Sequence, residues 1–172
     1  QERQCGFART GCGYYENCHC KLMPVSLMGP IDDKITGFIR KHHVLTLATS
    51  VDDEPWCANM FYAYIPERNQ FVFTSDAHTK HVADTLANSK VAASIVLETK
   101  VVGRLQGLQV RGSMKRVAKD DHAPRKAYLK RFPYAALADL HLWLLEPNYF
   151  KLTDNTLGFG KKIIWTADDH SK

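Results

Sequence analysis

The sequence predicts a mainly β domain with a few short helices, an α+β chain whose strands close into a six-stranded antiparallel barrel. Two observations lead there. Segments rich in β-branched and aromatic residues recur along the chain, bounded by turn-forming residues. The helical patterns between them are short and never settle into the βαβ alternation of a doubly wound sheet. At 172 residues, 45% hydrophobic and 24% charged, the chain can bury one core and is too short for two comfortable ones. The domain is expected to run from 30 to 166, with a cysteine-rich, flexible extension over 1–29 before it and a tail over 167–172 after it.

The elements follow in order. Pro30 suits a first helical position, Asp32 and Asp33 favour the positive end of the helix dipole, and Ile31, Ile35, Phe38 and Ile39 line one face of a helix ending near His43. A cationic His42 or His43 would complement that end of the helix. Val44–Ser50 and Trp56–Ile65 read as a hairpin around Asp52-Asp53-Glu54-Pro55, and Phe71–Ser75 as a third strand. Thr79–Asn88 has the Val82/Leu86 spacing of a short helix. Val91–Thr99 and Leu105–Val117 are longer strands, the second with Leu108, Val110 and Met114 opposite Gln109, Arg111 and Lys115. A helix from about Asp121 to Arg131 stops before Pro133, and a last strand pair covers Leu140–Leu152.

Composition narrows the partners. The longest apolar run, Val91 to Leu97 broken only by Ser94, falls far short of the roughly 20 residues of a membrane span. Residues 1–22 lack the apolar stretch of a signal peptide, so a cytoplasmic protein is expected. The formal charge is +5, and between Lys100 and Arg131 ten Lys or Arg face only Asp120 and Asp121. Such a run fits a solvated face or the docking of an anion. No aromatics interleave it as in a nucleic-acid-binding module, and a nucleic acid is not the expected partner. Cys5, Cys12, Cys18 and Cys20 do not have the paired spacing of a zinc or iron–sulfur site.

Thr74-Ser75-Asp76-Ala77-His78-Thr79-Lys80 passes from a strand end into a helix start, where free N–H groups, hydroxyls and a lysine can cradle a phosphate. The same residues also fit a plain helix cap with a solvated lysine. No catalytic triad, carboxylate pair or P-loop can be assembled, and His141 and Tyr128 stay ambiguous.

The order of Phe71-Val-Phe-Thr-Ser75, His78-Thr-Lys80, Lys90-Val-Ala-Ala-Ser-Ile-Val96 and Gln109-Val-Arg-Gly112 resembles the pyridoxamine phosphate oxidase-like family of FMN-binding split barrels. More narrowly, Pro55–Tyr62, Arg125–Pro133 and the Gly-rich run Thr153–Trp165 resemble the bacterial YhbP-type subfamily. The likeness spans about Ile31 to Trp165. It implies a split barrel of FMN-binding type, a homodimer with FMN between the subunits, and a small-molecule substrate that the sequence does not identify. Thr74 and Ser75 fall where the family's strand end meets the flavin, and Thr79-Lys80 where the oxidases carry an Arg-Lys pair for the phosphate. Thr79 thus replaces an arginine, and a second cation of the oxidases is Ala58 or Asn59 here. His78, His81, Arg111 or Lys161 can compensate, because charge-assisted contacts are the stronger ones.

On that resemblance Trp56, Phe61, Tyr62 and Phe73 can stack on a flavin ring or simply fill a core. Asn59, Gln106 and Gln109 can satisfy the ring's polar edge, where an unpaired buried group costs about 1–3 kcal/mol. Thr153–Trp165 is expected to fold across the cofactor groove and present Asn155, Phe159 and Lys161. Flavoenzymes leave redox chemistry to the cofactor, so an oxidoreductase needs no strong catalytic motif; pyridoxamine phosphate oxidase itself is not expected. Two alternatives stand beside this reading. One is a haem-binding split barrel with a histidine on iron. The other is a cofactor-free module whose Lys100–Arg131 surface meets an anionic partner.

Overall fold

The computed structural model describes residues 29–158 and 160–167. The four clustered cysteines and Phe159 lie outside the described residues. The chain begins with α1 (Asp33–Lys41), capped by Asp32, whose carboxylate accepts from the Lys34 N–H at 2.8 Å. Pro30 therefore precedes the helix, and Asp32 is its cap rather than part of the first turn. Ile35, Phe38 and Ile39 are buried, as their spacing predicts.

β1 (Val44–Val51) and β2 (Glu54–Ile65) form the first hairpin. Its turn is Asp52-Asp53 alone, at φ 51° and 62°, the two left-handed residues of a primed turn whose twist matches the strands. β3 (Gln70–Thr74), α2 (Lys80–Ala87), β4 (Lys90–Leu97), β5 (Gln106–Arg116), α3 (Ala123–Arg131), β6 (Leu142–Asp154) and β7 (Lys162–Thr166) follow. Among the described residues no helix is long and apolar enough to cross a membrane. In α2 the expected apolar pair does not hold. Val82 is buried, whereas Leu86 faces solvent. Thr85 takes the inner position and donates its hydroxyl to the His81 carbonyl at 2.7 Å and to Met114 Sδ at 3.3 Å.

Six antiparallel strands run in the order β3-β2-β1-β4-β5-β6, and pairing of β3 with β6 closes the ring. This is the expected split barrel. The segment read as a last strand pair is one 13-residue strand, β6. Its turn-like Pro147 lies at a bulge opposite Gly112, where the β5–β6 register shifts, so the strand bends there without ending. A Cβ at position 112 would overlap the Glu146 carbonyl, which explains the glycine. The first half of β6 closes the ring on β3; the second half carries β7 as a seventh strand outside it.

Inside the ring, Leu45, Leu47, Tyr62, Phe71, Phe73, Ile95, Leu108 and Phe150 make the core, with α1 and Trp165 packed against it. Burial of each such side chain contributes about 1.5–3 kcal/mol. A smaller cluster lies outside the ring, where α3 covers Ala63, Ile65, Val72, Leu142 and Leu144 with Tyr128. His42, at the end of α1, stacks on Phe38 at 4.2 Å between ring centroids. Burial, and then Lys41 and His43, push its pKa down, so the expected cationic cap is disfavoured.

Candidate functional site

The β3–α2 connection is held to β6 by its backbone. The Ser75 N–H donates to the His141 carbonyl at 3.0 Å, and the Trp143 indole N–H donates to the Ser75 carbonyl at 3.1 Å. Thr74 Oγ1 donates to the same His141 carbonyl at 3.3 Å. With the main chain fixed, the side chains converge. Ser75 Oγ lies 2.5 Å from His81 Nε2 and 3.2 Å from Thr79 Oγ1, and Thr79 in turn donates to the Asp76 carbonyl at 2.8 Å. Asp76 turns back to accept from the His78 N–H at 2.8 Å. Burial lowers the His81 pKa against the opposing charge of Asp84, which favours the neutral ring.

Lys80 is exposed but paired. Its Nζ lies 3.0 and 3.3 Å from the two Asp84 oxygens and 5.9 Å from the centre of the Trp56 ring. Asp84 is buried and accepts a second bond from Thr49 Oγ1 at 2.8 Å. The bonds from Lys80 and Thr49 hold its carboxyl below the usual range. The structure thus joins Ser75 and Thr79 with His81 and, on the adjoining turn, pairs Lys80 with Asp84, which sequence reasoning missed. The Lys80/Asp84 spacing of four on a helix was the available signal. Trp143 carried none, because its role depends on a β3–β6 pairing between distant segments.

A second group lies on the outer face of β2, β1, β4 and β5. Outward-pointing positions there are register-matched: Asn59 opposite Thr46, Thr46 opposite Ser94, Ser94 opposite Gln109. Thr46 Oγ1 donates to Asn59 Oδ1 at 2.6 Å. Ala48 and Ala92 continue this shallow surface, and Phe61 stands at its edge, 57% exposed, against Phe132. Of the aromatics weighed as stacking partners, Tyr62 and Phe73 are in the core, while Trp56 and Phe61 are exposed. Arg111 bonds Asn148 at 3.4 Å and sits 5.2 Å from the Tyr149 ring.

The third group lies at the other end of β6. Gln106 pairs with Asp154 beside a small cavity of about 220 Å³ that Lys34 and Lys41 also line. Burial opposes ionisation of Asp154, but bonds from Thr156 and Gln106 keep its pKa low. Asn155 is engaged internally, donating to the Val102 carbonyl at 2.8 Å and accepting from the Gly160 N–H at 3.0 Å. Lys161 is exposed, and the run around it folds back on its own chain, with β7 on β6 and the Trp165 indole N–H donating to the Gly29 carbonyl at 3.0 Å. Thr74 is level with Leu142 and Gln106 with Asp154. Twelve residues of strand lie between them, a path of at most about 40 Å at 3.3 Å per residue along a strand that bends at Pro147. One chain therefore does not bring all ten expected residues to one place.

Residues 31–154 match the family model described as pyridoxamine 5'-phosphate oxidase. A UPF0306 protein of Klebsiella pneumoniae is 42% identical over 135 residues, which cover 78% of this chain and 92% of that protein. The UPF0306 protein YhbP of Salmonella arizonae is 35% identical over 139 residues, 80% of this chain and 95% of that one. Among solved structures, a heme binding protein from Mycobacterium smegmatis superposes with a TM-score of 0.63 at 19% identity, over 76% of this chain but only 55% of that one. A FAD-binding protein from Mesorhizobium loti gives 0.57 at 15% identity, over 69% of this chain and 89% of that one. At such identities the structural likeness shows the fold.

Proposed function

Because the chain belongs to the pyridoxamine 5'-phosphate oxidase family, in its YhbP-type UPF0306 branch, we propose that it is a homodimer holding FMN between its subunits, for oxidoreductase chemistry on a small molecule. The observation that carries this reading is the bare outer sheet face. Thr46, Ala48, Ala92 and Ser94 leave a shallow, nearly uncharged surface, with Asn59 and Gln109 as hydrogen-bonding groups at its sides. Such a face suits a planar ring with polar edges. The separation along β6 is in keeping with a second subunit, whose Asn155–Lys161 segment would complete the site at the end that holds Ser75.

The ring surface fits a flavin; the phosphate end fits it less fully. Ser75 and Thr79 offer hydroxyls and Lys80 an ammonium, but that ammonium is shared with Asp84. An FMN phosphate carries nearly two negative charges and must compete with a buried carboxylate for Lys80. Bound FMN would supply the electron chemistry, and these residues would bind and orient it. The Mesorhizobium neighbour, named for FAD binding, supports a flavin on this fold.

The test is a visible spectrum of protein incubated with excess FMN and then gel-filtered. About one FMN per subunit is expected to be retained, less in Lys80→Ala, and more tightly in Asp84→Asn, which frees the lysine. A colourless wild-type protein would overturn the reading. Retention of haemin with a Soret band, and no FMN, would replace it by haem binding, the property in the name of the Mycobacterium smegmatis neighbour.

A further inference from the structure

The basic run that the sequence leaves between a solvated face and an anion site does not spread evenly once folded. Arg104 lies in the turn before β5 and Arg111 on the bare sheet face. Arg116, Lys119, His122 and Arg125 instead gather, with His141, around a cavity of about 470 Å³ between the end of β5, the start of α3 and the start of β6. That volume is within the range of small-molecule pockets. Its back wall is apolar, Val117, Leu140 and Leu142, closed by the Val117 N–H on the Leu142 carbonyl at 3.0 Å.

The charge inside is unbalanced. The lining has one carboxylate, Asp121, and that group is engaged: Oδ2 lies 2.6 Å from Arg68 Nη1, and Oδ1 accepts from the Ala123 N–H at 3.2 Å. His141 Nε2 lies 3.8 Å from Asp139. Among the described residues, Arg116, Lys119 and Arg125 have no carboxylate within ion-pair distance. Three cations that converge on one concave, partly apolar space, without counter-charges from the chain, suit an anion with several acceptor oxygens. Guanidinium forks match phosphate oxygens in pairs.

The geometry points to a second binding site, for a small phosphate-bearing molecule whose phosphate meets Arg116, Lys119 and Arg125 and whose body lies on Val117 and Leu140. It is separate from the Ser75–Thr79–Lys80 cluster, since none of those side chains lines the cavity. The two are close in the fold, because His141, whose carbonyl holds Ser75, forms one wall of the cavity.

The test uses inorganic pyrophosphate and the full chain in calorimetric titration. One site per chain is expected, weakened at least about tenfold in Arg125→Ala, as losing a charged hydrogen-bond partner implies, and weakened further in Arg116→Ala/Arg125→Ala. Lys100→Ala, a surface change outside the cavity, is expected to bind within twofold of wild type. Equal losses in Lys100→Ala, or none in Arg125→Ala, would overturn the site. So would loss in Lys80→Ala with competition by FMN, which would mean that pyrophosphate reports the flavin-phosphate cluster. Arg125→Ala is also run through the FMN retention assay: normal FMN uptake with lost pyrophosphate binding supports two separate sites. Wild type that retains no FMN yet binds pyrophosphate through Arg125 would sink the flavin reading alone.

Discussion

The outer surface of the barrel has two regions that the same strands pass through, and they are built differently. On β2, Ala63 and Ile65 point outward under α3, where they pack with Val72, Leu142, Leu144 and Tyr128. A few residues earlier on the same face, Cys57, Asn59 and Phe61 point outward and are exposed among the described residues. Alternation puts a side chain outside the barrel; what covers it decides which residue works there. A sheet face meant only for water would carry charges throughout. The bare face instead keeps Thr46, Ala48, Ala92 and Ser94 at its centre, leaves Val44, Phe61, Val96 and Ile164 exposed around them, and confines its charges to positions such as Arg111 and Lys151. Exposed apolar side chains grouped around a small-residue centre are in keeping with a subunit or flavin as the cover of this face.

The covered region should respond to loss of packing. Leu144 is 3% exposed, so Leu144→Ala is expected to cost about 2–5 kcal/mol, the range for emptying a well-packed aliphatic site, read as a lower urea midpoint. A cost below about 1 kcal/mol would mean that α3 is not firmly docked. The bare region should respond in the opposite way. Ser94→Arg adds a charge to an exposed strand position and should leave the stability of the single chain within about 0.5 kcal/mol. On the homodimer reading it should also convert the protein to a monomer in gel filtration and abolish FMN retention. A Ser94→Arg protein that stays dimeric and yellow would move the interface elsewhere.

The legible parts of the molecule are those whose causes are local. The apolar spacing of Ile35, Phe38 and Ile39 and the turn-forming Asp52-Asp53 lie within one element or one connection, and the structure keeps both. The misread parts depend on distant partners. Pro147 looks like a strand end until its place opposite Gly112 is known. Leu86 looks like a core residue, but the inner face of α2 meets Met114 through Thr85. At the candidate site the hydroxyls of Ser75 and Thr79 were readable from a strand-to-helix boundary. The Lys80–Asp84 spacing was readable as well, but the burial of Asp84 was not, because Asp84 is held by Thr49 on β1, 35 residues away. The convergence of Arg116, Lys119 and Arg125 required the path between β5 and α3.

The smallest expected effect belongs to His81, which lies in neither region but at the β3–α2 end, partly buried against Ser75 and Thr79. Burial sets its pKa below the ordinary 6.5 in the folded chain, so on acidification the unfolded chain takes up the proton first. Stability then falls as the pH drops through about 6.5, and the loss is complete once the pH is below the folded value. The slope cannot exceed about 1.4 kcal/mol per pH unit for each such histidine. His42 is shifted in the same direction, so His81→Asn should flatten the dependence between pH 7 and 5 only in part, and His81→Asn/His42→Asn further. Asp84 also loses its contribution on acidification, but only below the ordinary carboxylate range, because its folded pKa is lowered. The two windows are therefore separable in urea melts at half-unit pH intervals. An unchanged slope in His81→Asn would mean that the His81 ring is not held neutral against Ser75, and that this histidine is free to take a proton when an anion occupies the β3–α2 end.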